Sequence, residues 1–538
     1  MAITAVASLR AFRKMADHSP LVTSADSVIN EDTTIVRYGS NRCKNVLNVV
    51  LILGFIVVGS VVIIVLLLVR PNVRNNPEYG VVFDAGSRHT SAYVYKWPGN
   101  IRLRGTAVPV DEICHVSNST GISSFVNNPK GAGSLVGNLL KNVIGEVPHD
   151  KRSSTPVYLG ATAGMRLERE VNKTISDNIM SSIRDVFLAS SLQFSAKNAK
   201  IITGKDEGSF GWITVNYLKK VLQEKNEEDI KETSGALDLG GASTQITFVP
   251  QNTSQANQHF RLYGKDYPVY TKTYLCYGLS EIYRRFLAQL AKNANYSATI
   301  SNPCARKGSI TNQSASNIFR EPCSCEPSPK PRTAQFTFNG SNNESECNEN
   351  IRSLFDYSST CPNAVPFFNA SHKQPPVTGN FLAFSAYYII KKNLNLPTSP
   401  TMDEYRSAYL AYCNRNVVER KTLDAFVTVV PTCFSGHYIY TLLTYGFQFK
   451  NDTWKISFGK TVDKKSLGWA LGYMINATNL IPLNKPKHVR ISDENLIPAL
   501  VVCGICILIG LVLFVKYLSK RGVCRNSCRT RRLNYSHL

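Results

Sequence analysis

Val82-Phe83-Asp84-Ala85-Gly86-Ser87 and Leu237-Asp238-Leu239-Gly240-Gly241-Ala242-Ser243, about 150 residues apart, decide how this chain folds. Each begins as an apolar run of strand length and ends in an acid, a glycine and a serine. Each is followed by a second run, Thr90-Ser91-Ala92-Tyr93-Val94-Tyr95 in one case and Thr244-Gln245-Ile246-Thr247-Phe248-Val249 in the other. Alternation on the far side of a glycine turn predicts a returning strand, hence two strand–turn–strand units. With helical patterns between and after them, the class is α/β. Matching chemistry at both turns favours an internal duplication over two unrelated hairpins.

Glycine and serine at a turn let backbone N–H groups approach a phosphate closely and add hydroxyl donors. An aspartate at the strand end cannot neutralise an anion. It must act through a divalent cation, directly or through water. Two such turns facing each other across a cleft would clamp a polyphosphate. Between them, Leu159-Gly160-Ala161-Thr162-Ala163-Gly164-Met165-Arg166 reads as a strand ending in a small-residue turn, with a helix over 175–188. Ile202-Thr203-Gly204-Lys205-Asp206-Glu207-Gly208 puts adjacent acids in a turn before an apolar helix that starts near Trp212. An acid fixed there could take a proton from an attacking water. Taken alone, favourable charge at a helix N-terminus is the stronger reading of both acids. Residues 380–394 and 402–412 read as helices, 298–368 as disulfide-stapled loops, and 482–493 as a polar linker.

Two uncharged runs, 49–69 and 497–515, stand apart in the 538-residue chain. At ~1.5 Å per residue the first spans a bilayer core of ~30 Å, and the second falls slightly short. Core helices rarely stay apolar on every face, so both read as transmembrane helices. A long polar leader makes the first a signal-anchor rather than a cleaved signal. Arg10, Arg13, Lys14, Arg37, Arg42 and Lys44 precede the first run. Lys516, Lys520, Arg521, Arg525, Arg529, Arg531 and Arg532 follow the second. Positive-inside then puts the tails 1–48 and 516–538 in the cytoplasm and the middle outside.

Sequons crowd that middle region: Asn118, Asn172, Asn252, Asn295, Asn312, Asn339, Asn343, Asn369, Asn451 and Asn476. Cys114, Cys276, Cys304, Cys323, Cys325, Cys347, Cys361, Cys413 and Cys433 share it, as disulfides would in an oxidising compartment. Zinc at Cys323-Ser324-Cys325 is disfavoured, because His372 is the one histidine near by. The net charge of +23, partly in the tails, suits anionic substrates, although scattered solvated lysines explain it more simply. Nothing points to nucleic-acid binding.

At this point the residues resemble a known family. Val82 onward (VFDAGSRHTS), Val157 onward (VYLGATAGMRL), Ile202 onward (ITGKDEGSFGW), Ala236 onward (ALDLGGASTQITF) and Ser466 onward (SLGWALGYM) are similar to the apyrase conserved regions of the ecto-nucleoside triphosphate diphosphohydrolases, in order and spacing. The two-span plan is similar to that family's plasma-membrane branch. The resemblance implies two RNase-H-like domains of the actin, Hsp70 and sugar-kinase superfamily with an interdomain cleft, 77–203 plus 461–490 and 204–460. It implies hydrolysis of extracellular ATP, ADP, UTP and UDP to monophosphate by direct attack of water. Glu207 would be the general base, with Ser243 and Gln245 holding the water. Asp84 and Asp238 would bind Ca²⁺ or Mg²⁺ through water. Ser87, Arg88, His89, Thr162, Gly241, Ala242 and Ser243 would grip phosphates, and Trp469 would pack the returning C-terminal segment on the first domain.

Three departures stand out. Arg88 replaces a small residue. Ile389 falls where relatives carry a base-stacking ring, so Tyr388 beside Ala386 is the substitute reading for base contact. Asn138 stands where Cys114 would have its partner. By analogy Cys276–Cys323, Cys304–Cys347 and Cys413–Cys433 pair, with Cys325–Cys361 open. Homo-oligomers through the spans fit the family. A kinase or chaperone of the same superfamily conflicts with the external topology. The alternative of a catalytically inactive nucleotide-binding receptor or adhesion protein is weakened because Glu207 and Gln245 are both present.

Overall fold

The computed structural model describes residues 49–50, 52–54, 56–64, 77–99, 107–223, 232–324, 334–356, 367–368, 373–415, 430–479 and 493–533. Cys325, Cys361, Asn369, the 1–48 tail and almost all of the 482–493 linker lie outside them. The chain forms two compact units, Arg74–Asn484 and a second made of Met1–Val73 with Lys485–Leu538.

In the second unit, among the described residues, one helix is long and apolar enough to cross a membrane, Leu500–Ser519, with mean hydropathy 2.6. Its Val501, Ile505, Leu508, Val512 and Val515 are all at least half exposed, which suits a hydrocarbon surrounding rather than water. Within the 49–69 run the described residues include an apolar helix, Ile52–Ile64, and 65–69 lie outside them. The C-terminal helix runs from Asp493 to Leu533, beyond the 497–515 run, because lysine and arginine are themselves good helix formers.

The larger unit is built on two mixed sheets. The first contains β1 (Pro77–Ala85), β2 (Thr90–Pro98), β3 (Asp111–Asn118), β4 (Val157–Ala161) and β5 (Ala199–Ile201), in the order β3-β2-β1-β4-β5. The second contains β6 (Gly235–Leu239), β7 (Ser243–Phe248), β8 (Gln258–Leu262), β9 (Lys265–Leu275), β13 (Phe381–Ser385) and β14 (Ile456–Phe458), in the order β14-β13-β6-β7-β9-β8. The opening strand of each sheet pairs antiparallel with its successor and parallel with a later strand. Asp84 stands opposite Ser91 and Gly160, and Asp238 opposite Gln245 and Phe384. The repeat read at the two turns therefore extends into the strand pairing.

Helices α1 (Pro129–Val143), α2 (Ala163–Val171) and α3 (Lys173–Leu188) belong to the first sheet's half. Helix α4 (Gly204–Leu218) and the C-terminal α7 (Trp469–Thr478) lie in a central apolar layer with Val82, Ala236 and Leu382. Between them come α5 (Leu279–Asn293) and α6 (Ala386–Asn393) in the second half. Gly472 of α7 donates its N–H to Thr214 Oγ1 at 2.8 Å, which seats α7 directly on α4.

Several sequence expectations change. The helix expected over 380–394 is a buried strand, β13, followed by α6, since an apolar run of five residues does not distinguish the two states. The expected 298–368 loops contain a three-stranded sheet, β10 (Thr299–Asn302), β11 (Ile310–Ser314) and β12 (Gln335–Gly340), and a helix Glu344–Asp356. Its period-two signal, buried Phe336 and Phe338 between polar neighbours, is hidden by the Ser- and Asn-rich composition. Cys276–Cys323, Cys304–Cys347 and Cys413–Cys433 are closed, and Cys114 is a free thiol. Eight sequon asparagines, among them Asn118, Asn172 and Asn451, are exposed, while Asn476 is half-buried within α7.

Candidate active site

A cleft of about 440 Å³ opens where the ends of β1 and β6 face each other. Asp84, Ser87, Arg88, His89, Thr162, Glu207, Asp238, Gly241, Ala242, Ser243 and Ala386 all line it. These sequence-read residues come from five separate segments, and the fold brings them together. Thr162 is held where β4 runs into α2, its N–H on Ala85 O at 3.1 Å.

Helix α4 begins eight residues earlier than its apolar pattern suggests. Thr203 and Asp206 form a capping box, with Asp206 N–H on Thr203 Oγ1 at 3.0 Å and Thr203 N–H on Asp206 Oδ2 at 3.3 Å. The adjacent acids therefore part company. Asp206 caps the helix, and Glu207, a third of a turn further round, is buried and turned into the cleft. The reading of both acids as terminal helix charge holds for Asp206.

Around Glu207 the donors are dense. Gln245 Nε2 donates to Ser243 Oγ at 2.8 Å, Thr273 Oγ1 at 3.1 Å and Glu207 Oε2 at 3.2 Å. Arg166 was assigned no role from sequence, although it lies inside a quoted motif. Its Nη2 donates to Glu207 Oε2 at 2.8 Å and to Ser243 Oγ at 3.1 Å, and its Nη1 to Ile202 O at 3.1 Å. Arg166 sits three residues after Ala163, so the first turn of α2 aims it at the cleft. Burial raises the Glu207 carboxyl, and the Arg166 cation pulls it part of the way back. Both bonds to Glu207 use Oε2, leaving Oε1 for a water in the cleft.

The two aspartates differ in kind from Glu207. Asp84 Oδ1 and Asp238 Oδ1 are buried with no hydrogen-bond donor, an arrangement costly for carboxylates unless a cation serves them. Asp238 is pushed up to about 7, first by burial and then by the Glu207 charge. His89 Nε2 lies 3.4 Å from Asp84 Oδ2. Three carboxylates share one cleft, and two unpartnered oxygens come from opposite sheets. That donor set fits a hard divalent ion such as Ca²⁺ or Mg²⁺.

Ala386 and Ile389 line the cleft, and Tyr388 is not among the lining residues. Positions 386 and 389, three apart, share a face of α6, whereas 388 turns away. Ser385, at the β13–α6 junction, has φ 59°, a strained value for a residue with a side chain, and it hydrogen-bonds Asp238. No sequence signal marked it. Trp469 is buried over β4, and its indole also lines the cleft.

The sequence profile of the GDA1/CD39 (nucleoside phosphatase) family matches residues 71–492. Ectonucleoside triphosphate diphosphohydrolase 8 of Gallus gallus is 38% identical over 436 residues, 78% of this chain and 86% of that protein. Ectonucleoside triphosphate diphosphohydrolase 3 of Homo sapiens is 37% identical over 426 residues, 76% and 80% respectively. Among solved structures, a nucleoside triphosphate hydrolase from Neospora caninum superposes with a TM-score of 0.56 at 16% identity, covering 75% of this chain and 93% of that one, a likeness of fold. The chain belongs to the GDA1/CD39 nucleoside phosphatase family.

Proposed function

We propose that the chain is an apyrase-type enzyme that hydrolyses extracellular nucleoside tri- and diphosphates (ATP, ADP, UTP, UDP) to the monophosphate by in-line attack of water. The observation that carries this reading is the Glu207–Gln245–Ser243 cluster, hydrogen-bonded within itself at the floor of a cleft walled by two matching glycine turns.

Water fits this cluster with complementary bonds. Glu207 Oε1 accepts one proton, and a turn of the Gln245 amide, whose Oε1 is buried without a donor behind the cleft lining, would supply the acceptor for the other. Ser243 Oγ receives N–H bonds from Arg166 and Gln245, so its own O–H is left to donate to the water. One lone pair then remains for attack on phosphorus, and Glu207 takes the proton as the bond forms. Ser87, Arg88, His89, Thr162, Gly241 and Ala242 grip the phosphates. Asp84 and Asp238 would hold Ca²⁺ or Mg²⁺ through water, and the bound ion would neutralise phosphate charge. The exposed sequons and closed disulfides favour an extracellular site, anchored by the C-terminal apolar helix.

The test is phosphate release from ATP and ADP by intact cells expressing the full chain, with divalent cation and then with chelator. Release that chelator abolishes is expected. In Glu207→Gln, turnover should fall about 10²–10⁴-fold while surface protein is unchanged. Full activity in that variant removes the base assignment, and no release from the parent protein removes the function.

A further inference from the structure

A second cavity, of about 140 Å³, adjoins the cleft and shares with it only Ser87, Arg88, Gly241 and Ala242. Those four residues form the wall between the two spaces. The wall is a meeting of the two halves, since a Cβ on Gly241 would stand 2.7 Å from Ser87 Oγ and 3.1 Å from Arg88 Cδ. Beyond it the cavity runs between α2 and the first turn of α5 toward solvent. Its outer rim is exposed: Val171 at 49%, the Arg320 side chain at 53%, and Glu321.

The lining is polar and charged in alternation. Arg88 Nη1 donates to Ser280 Oγ at 3.2 Å across the halves. Arg284 grips both oxygens of Glu281 at 2.8 and 2.7 Å, and Arg320 reaches Glu168 at 3.5 Å. Burial, and then the Arg284 charge, lower Arg88; burial also lowers Arg284, with Glu281 opposing and Arg320 adding to the shift. Arg88, Arg284 and Arg320 line this one cavity, each beside an acid or hydroxyl. Such a surface offers donors to an oxyanion without a deep well of uncompensated charge, as a transit route requires and a storage site does not.

The geometry fits a problem of the reaction. On the proposed reading the phosphate being cleaved would touch the loops, and the shortened nucleotide would lie between it and the Ala386–Ile389 end of the cleft. We propose that the Ser87–Gly241 contact parts after cleavage and that the orthophosphate leaves through this second cavity, past Arg88 and Ser280, while the nucleotide product is still in the cleft. The inference rests on the reading above that the loops grip the terminal phosphate.

Product inhibition separates the routes. With the full chain in membranes and ADP as substrate, AMP formation is followed as orthophosphate is added. A phosphate that leaves first rebinds the enzyme–AMP complex, so saturating ADP will not restore the rate. Purely competitive inhibition by orthophosphate means that it leaves last, through the cleft, and overturns the proposal. A second arm plugs the rim. Val171→Trp should make the inhibition competitive and lower kcat about threefold or more with KM within about twofold, because release becomes limiting. Val171→Ala should behave as the parent. A Val171→Trp enzyme with the parent's kcat and inhibition pattern also overturns the proposal. Absence of any ADP hydrolysis by the parent would instead count against the function itself.

Discussion

Arg166 Nη2 stands 2.8 Å from Glu207 Oε2, joining a helix that follows the first sheet's β4 to the carboxylate at the start of α4. Both side chains are shielded, at 15% and 9% exposure, so the pair is only weakly screened by solvent. The same guanidinium reaches Ser243 Oγ and Ile202 O. One residue thus holds Glu207, Ser243 and the residue after β5 in register.

Removing that cation should shift the acid side of the pH profile. A base must be ionised to work, and burial already raises Glu207 against the pull of Arg166. In Arg166→Ala the charged form loses its partner, so its pKa rises and the acid limb of kcat/KM moves to higher pH. We expect kcat to fall about 10–100-fold, with Arg166→Lys recovering only part, since the single nitrogen of an ammonium cannot span acceptors that Arg166 reaches through two. An acid limb unmoved in Arg166→Ala would show that Glu207 is not the group titrating.

Asp238 offers a test of the cation reading. Its Oδ1 has no hydrogen-bond donor, and burial, then the Glu207 charge, push its pKa up to about 7, so a cation at this carboxylate would be favoured. Asp238→Asn keeps the shape and removes the charge. We expect the divalent-ion concentration for half-maximal activity to rise about tenfold or more, with activity partly restored at high metal. An unchanged metal requirement would assign the ion elsewhere.

How much of this was legible in the sequence depends on whether the signal was local. The glycine turns at Gly86 and Gly241, with their aspartates, are local features, and the fold sets them face to face as the duplication implied. The start of α4 was misplaced because Thr203 and Asp206 cap a helix whose apolar pattern begins only later. Arg166 went unassigned because its partners lie 41 and 77 residues away, and no spacing rule connects them. Tyr388 was favoured for its ring, but helix phase chose Ile389. The first apolar run was read as a full span, and the described residues give helix over 52–64, with 65–69 lying outside them. Chemistry was visible wherever one turn carried it, and obscured where two distant segments had to meet.

The contact between β4 and α7 predicts a stability effect away from the chemistry. A Cβ on Gly160 would lie 2.3 Å from Trp469 Cη2, and the indole is buried with little room to move. Gly160→Ala should therefore cost about 1–3 kcal/mol through overpacking. Trp469→Ala should cost about 3–5 kcal/mol by leaving a cavity. Thermal unfolding of the detergent-solubilised protein reads both. A Gly160→Ala protein as stable as the parent would mean that α7 can lift from the sheet at no cost.

On the proposed reading, the face of α6 that lines the cleft decides what the nucleobase meets. Ala386 and Ile389 offer aliphatic surface to the cleft, and Tyr388 is directed elsewhere. Tyr388→Ala should therefore leave KM for ADP and UDP within about twofold of the parent, because the lost ring never touched the base. Ile389→Tyr introduces a ring at the lining position, and an aromatic stacking partner is worth about 0.5–1.5 kcal/mol. We expect KM to fall about two- to tenfold, and further for ADP than for UDP, since a purine presents the larger face. The measurement is steady-state KM for both nucleotides in both variants. A large KM increase in Tyr388→Ala, with Ile389→Tyr neutral, would return base recognition to Tyr388 and require α6 to rotate when substrate binds.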